Sequence, residues 1–102
     1  MKDYSQKTYN AVAAANQNLL GVQLGAACID AKIPVQVVAG WLKVTRQAVY
    51  FWFTGETSIA PAREKKVQQI LRVLHVGLVN EVLPAKDLDT ALAEIKTIRG
   101  AL

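Results

Sequence analysis

At 102 residues the chain is one small domain, and a hydrophobic content of 52 % gives it material for one modest core, which excludes a disordered chain. No apolar run approaches the roughly 20 residues that span a bilayer, and the opening MKDYSQKTYN lacks the apolar centre of a secretory signal, so a cytoplasmic location is expected. The formal net charge is +4, and its excess is local: Lys43, Arg46, Arg63, Lys65, Lys66 and Arg72 stand against Glu56 and Glu64, while the rest of the chain is neutral.

In chain order, residues 1 to 6 read as loose. The Ala-rich stretch TYNAVAAA, from about Thr8 to Ala15, favours helix by propensity. Tyr9, Val12 and Ala13 form a stripe that could dock on a core or a partner. Asn16-Gln17-Asn18 is a break, with Asn18 a candidate cap for a helix over about 19 to 32 whose Leu20, Leu24, Ala27, Cys28 and Ala31 share a face. Cys28 is the sole cysteine, so it forms no internal disulfide and reads as a small buried apolar residue. Pro34 then sits one residue ahead of the next helix, where it is accommodated.

The stretch from Val35 to Gly55 reads as two short helices joined by a tight turn. Val35, Val38, Ala39 and Leu42 share one face of the first. Trp41 lies on its rim, against a neighbouring segment. Lys43 and Val44 make the turn, with Val44 pointing inward, and Thr45 is a good N-cap for the second helix. That helix buries Val49 and Trp52, with Ala48 and Phe53 on its flanks, and Thr54-Gly55 ends it. Gln47, Tyr50, Phe51 and Thr54 face outward, and Arg46 sits at the exposed N-terminal end.

Val38-Ala39, Leu42, Val44-Thr45, Arg46-Gln47-Ala48-Val49, Trp52 and Gly55 give the stretch a form that resembles the lambda-repressor and Cro-like helix-turn-helix family, the XRE-type regulators of phages and bacteria. The likeness runs from about Leu20 to Leu74. It implies an all-α fold, a compact bundle of about five to six short helices, with the helix 45–54 entering the major groove of double-stranded DNA. Arg46, Gln47, Tyr50 and Phe51 would then contact bases, since Gln pairs with adenine, Arg with guanine, and apolar groups meet the thymine methyl. Lys43, Thr45, Thr54, Arg63 and Lys66 would hold phosphates, where counterion release supplies affinity. The family usually has Gly in place of Lys43, because the turn residue often takes a positive φ at a cost of about 1 kcal/mol to a residue with a Cβ. It also often opens its first motif helix with Gln, whereas this chain has Val35 and then Gln36.

A polar loop, Glu56-Thr57-Ser58, comes next, and helix restarts near Pro61. Val67, Ile70, Leu71 and Leu74 face inward, while Arg63, Lys65, Lys66 and Gln69 stay outside. That helix either ends at His75-Val76-Gly77 or continues its apolar face through Val76, Val79, Val82 and Leu83. Pro84-Ala85 marks a boundary between a domain at 1–84, with its core at about 19–76, and a C-terminal helix in 85–102. Acids open that helix at Asp87, Lys96 and Arg99 close it in agreement with the helix dipole, and Gly100 stands beyond. Its stripe of Leu88, Ala91, Leu92, Ile95 and Ile98 either packs back on its own domain or, through Leu88, Leu92, Ile95 and Ile98, pairs two copies into a homodimer that reads two half-sites.

No nucleophile elbow, Gly-rich phosphate loop or metal-spaced cluster is present, and His75 has no partner for acid–base work or metal ligation. No enzyme activity, cofactor or metal is expected. The expected function is that of a sequence-specific DNA-binding regulator, a small phage or bacterial repressor. The run Tyr50-Phe51-Trp52-Phe53 is unusual for a groove-facing helix and supports an alternative, a protein-interaction or assembly module of DNA-packaging or antitoxin-like kind that keeps the scaffold.

Overall fold

The computed structural model describes residues 4 to 102, which form six helices and, among the described residues, no strand. In order these are α1 (Gln6–Ala14), α2 (Leu20–Ala31), α3 (Val35–Leu42), α4 (Arg46–Phe53), α5 (Pro61–Val79) and α6 (Leu88–Ala101). None of them is long and apolar enough to cross a membrane.

The centre is α2, with α4 and α5 both packed on it. Its buried residues include Val22, Leu24, Ala27, Cys28 and Ala31, and also Gly21 and Gly25. The two glycines, one helical turn apart, cut a notch that α4 fills. A Cβ on Gly21 would lie 2.7 Å from the carbonyl oxygen of Trp52, and one on Gly25 would lie 2.8 Å from Cγ of Phe53. Phe53, expected on a flank of α4, is therefore in the middle of the core, fully buried and among its largest side chains. A wheel drawn on α4 shows one stripe, but a notch one turn long accepts two successive residues, Trp52 and Phe53.

Four helices end with the same device. Lys32, Lys43, Gly55 and Glu81 take the left-handed conformation, with φ of 56°, 55°, 78° and 61°. In each case the next residue's N–H reaches back to a carbonyl five positions earlier: Ile33 to Cys28, Val44 to Ala39, Glu56 to Phe51 and Val82 to Gly77. The device reverses the chain within a few residues and turns Ile33 into the core, fully buried. The positive φ expected at Lys43 is present.

The N-terminal segment differs from expectation. Tyr4 is half-buried, its hydroxyl donates to the Ile33 carbonyl at 2.6 Å, and its ring centroid lies 6.4 Å from that of Phe53. The chain is thus ordered ahead of α1, and Ser5 caps that helix by accepting from the Thr8 N–H at 3.2 Å. The expectation of a loose start extends to residues 1 to 3, which lie outside the described residues. Of the proposed stripe on α1, Val12 is buried while Tyr9 and Ala13 are exposed. Asn18 does not cap α2: Leu19 occupies the cap position without a side-chain bond, and the Asn18 N–H donates to Oδ1 of Asn16 instead.

Helix α5 runs through Gly77 to Val79. Gly77 serves a close approach, because a Cβ there would lie 2.6 Å from Cδ1 of Leu83, which folds back over the helix end. Val67, Leu71 and Leu74 are buried as expected, together with Val73, whereas Ile70 is half-buried and Val79 is 80 % exposed. Asp87 caps α6, accepting from the Thr90 N–H at 2.8 Å, and Ala91 and Ile95 bury that helix against the rest of the chain. Helix α6 packs on α5, so the segment after Pro84 lies on the same body, and the radius of gyration of 12.6 Å is that of a compact body of this length, about 13 Å for 100 residues.

Candidate nucleic-acid interface

The turn between α3 and α4 sets the direction of the candidate reading helix. Lys43 closes α3 in the left-handed conformation, Val44 packs half-buried against the core, and Thr45 Oγ1 accepts from the Ala48 N–H at 3.1 Å. From that start, Val49, Trp52 and Phe53 anchor the inner face of α4, all buried. Arg46, Gln47 and Tyr50 are exposed, while Phe51 and Thr54 are half-buried.

The two threonines at the ends of α4 differ in chemistry. The Thr45 oxygen accepts the capping bond, so its hydroxyl proton is free for an anionic oxygen. The Thr54 hydroxyl donates to the Tyr50 carbonyl at 3.0 Å. Its proton is engaged inside the helix, and phosphate, itself an acceptor, competes with that carbonyl for it.

Of the aromatic residues, Tyr50 keeps 40 % of its surface exposed. Tyr4 packs against α4 with its ring centroid 6.4 Å from that of Phe53, and burial raises its phenol pKa. The segment before α1 therefore reaches the flank of α4 without covering its outer face. Trp41 is half-buried on α3 and, as expected, faces neighbouring segments: it lines a cavity with residues of α5 and α6.

Lys43, Arg46, Arg63, Lys65, Lys66 and Arg72 are all exposed, but those on α5 do not share a side. Lys66 borders the cavity that Trp41 lines. Arg72 borders a different depression, with Leu20 and His75. Lys96 and Arg99 of α6 stand beside the same cavity as Lys66. Sequence reasoning missed that grouping, because the α6 region is neutral overall and its cations are brought to α5 by the fold.

The residues considered for dimer formation are divided between inside and outside. Ile95 is buried within its own chain, and Ile98 reaches to 3.3 Å from where a Cβ on Gly77 would stand. Leu88 and Leu92 are half-buried.

Among the described residues no group of three or more His, Cys, Asp or Glu could hold a metal ion. The Cys28 thiol is fully buried, which pushes its pKa well up and keeps it protonated. No family model matches the chain, and neither does any curated protein or solved structure.

Proposed function

We propose that the chain is a sequence-specific double-stranded DNA-binding regulator of the lambda-repressor and Cro-like helix-turn-helix kind, a small phage or bacterial repressor acting in the cytoplasm. The observation that carries this reading is the two-sidedness of α4. Its inner residues Val49, Trp52 and Phe53 are held in the core, and Arg46, Gln47 and Tyr50 stand exposed opposite them. A rigid, capped helix offering a guanidinium and a primary amide has the donors and acceptors that base edges in the major groove require. Phe51 adds apolar contact at the edge of that face. Lys43, Thr45, Arg63 and Lys66 hold phosphates, with Thr54 a lesser partner because its proton is engaged. Two copies meeting through what α6 leaves uncovered at Leu88 and Leu92 read two half-sites. The reading assigns no catalysis, cofactor or metal.

Selecting bound duplexes from a random pool tests it: a defined consensus is expected, with affinity that falls steeply with salt. Recovery of no consensus, with binding insensitive to salt, overturns it. A second reading, an assembly module of DNA-packaging or antitoxin-like kind, draws support from the exposure of Tyr9 at 51 % and Tyr50 at 40 %. A stable complex with another protein and no salt-sensitive DNA binding favours that second reading.

A further inference from the structure

Between α3, α5 and α6 lies a cavity of about 320 Å³. Its apolar wall is formed by Trp41, Ile70 and Leu92, each half-buried, so their carbon is partly open to whatever enters. Lys66, Lys96 and Arg99 border it, all three exposed, and no Asp or Glu lines it. Cations beside a low-dielectric wall, with no acid among the lining residues, favour an anion there more strongly than the same charges on an open surface. The lysine stems can lie along the apolar wall with their ammonium groups at the mouth, and an arginine fork matches a carboxylate with two parallel hydrogen bonds.

Size decides the class of occupant. A groove for an amphipathic helix must take side chains from successive turns. A cavity of this volume is at the lower end of those that enclose a small molecule. The geometry points to a binding site for a small amphipathic monocarboxylate, whose aromatic or branched apolar body rests on Trp41, Ile70 and Leu92 while its carboxylate meets Arg99, Lys96 and Lys66. Binding of such an acid needs no DNA, but it uses Leu92, which the regulator reading assigns with Leu88 to the contact between two copies, so an occupied cavity and that contact compete. A further consequence rests on that reading: Lys66 is there assigned to phosphate, so an occupied cavity would lower DNA affinity.

The test is calorimetric titration of the full chain, without DNA, with naphthalene-2-carboxylate and its neutral counterpart naphthalene-2-methanol. The carboxylate is expected to bind with Kd below about 1 mM and the alcohol at least tenfold more weakly. The double variant Lys96→Gln/Arg99→Gln, at exposed positions, is expected to reduce that preference severalfold, Lys66 remaining, and to lower the melting temperature by no more than a few degrees, because both cations sit near the C-terminal end of α6. Leu92→Trp, which fills the cavity, is expected to remove binding of both probes. Equal binding of acid and alcohol overturns the proposal, as does an absence of binding or a preference that the double variant leaves undiminished. Binding of an acidic amphipathic peptide at this site, with no binding of the carboxylate, places a protein there and also overturns it. Because no DNA is present, failure here is separate from failure of the regulator reading, which the duplex selection tests.

Discussion

The ring of Phe53 lies so close over Gly25 that a Cβ on the glycine would stand 2.8 Å from its Cγ, 2.9 Å from its Cβ and 3.2 Å from its Cα. These atoms form the root of a fully buried side chain and its backbone, so they cannot swing aside as a flexible tip would. Gly25→Ala is therefore expected to destabilise the fold by about 1–3 kcal/mol, even though alanine is the better helix former. Gly40 supplies the contrast, with nothing within 4 Å of its own Cβ position on α3. Gly40→Ala is expected to stabilise by about 0.5–1 kcal/mol. Urea titration of both variants should give midpoints displaced in opposite directions; a midpoint for Gly25→Ala that is unchanged or raised would mean that α2 and α4 are not this close.

That contact also shows what could be read in the chain and what could not. The helices at 35–42 and 46–53 were legible because their apolar spacing and the Thr45 cap agree, and both are present as expected. The notch was less so: the four-residue spacing of Gly21 and Gly25 is visible, but glycine in a helix carries no hydrophobic signal. Its importance depends on Trp52 and Phe53, residues far along the chain that pack into it. Helix α5 was open at Gly77 for the same reason, since only the return of Leu83 over it gives the glycine a purpose. On the candidate surface, the exposure of Gln47 and Tyr50 followed from the wheel and that of Arg46 from its place at the helix start, whereas Phe51 and Thr54, which the wheel also turns outward, are half-buried. The grouping of Lys66 with Lys96 and Arg99 did not, because it arises from the docking of α6 beside α5.

Lys32 ends α2 with φ of 56°, a conformation in which its Cβ crowds the backbone. Glycine relieves that crowding, offset in part by its greater freedom in the unfolded chain, for a net gain of about 0.5–1 kcal/mol. Lys32→Gly is accordingly expected to raise the melting temperature by a few degrees, at about 4–8 °C per kcal/mol for a domain of this size. A lower melting temperature would show that the lysine side chain contributes more than its backbone costs.

Cys28 is fully buried on α2, and burial holds its thiol protonated. A thiol reagent needs an accessible thiolate. Labelling with an aromatic disulfide reagent is therefore expected to be negligible in the native state and to proceed at the rate of global unfolding as urea is added. Rapid labelling without denaturant would reveal a local opening of α2 that its central position does not suggest.

Asp87 caps α6, and its pKa is held below the usual carboxylate range, first by the backbone hydrogen bond from Thr90 and then by the Thr90 side chain. A group whose pKa is depressed on folding contributes its full stabilisation above its unfolded pKa, and that contribution is lost as pH falls through the folded value. The start of α6 is thus expected to loosen in the acid range before the core does. Amide exchange at Ala91 and Leu92, followed as pH is lowered, should show this after correction for intrinsic rates. Asp87→Asn, which retains an accepting oxygen, should flatten that dependence, and an unchanged profile would assign it to another carboxylate.

Gln47 and Arg63 separate the two kinds of contact that the regulator reading requires. Gln47 is exposed on the outer face of α4, one position after Arg46, and its amide can both donate to and accept from an adenine edge. Gln47→Ala is expected to weaken binding to the selected site by about 1–3 kcal/mol while sparing affinity for random duplex. Arg63 is exposed near the start of α5 and is not among the residues lining the α3–α5–α6 cavity, so its removal does not disturb that site. Arg63→Ala should weaken specific and random binding alike and reduce the slope of log affinity against log salt by about 1. Filter binding across a salt series measures both. Equal losses on the two duplexes for Gln47→Ala would remove it from base recognition, because a residue that touches base edges must discriminate between sequences and one that touches phosphate alone cannot.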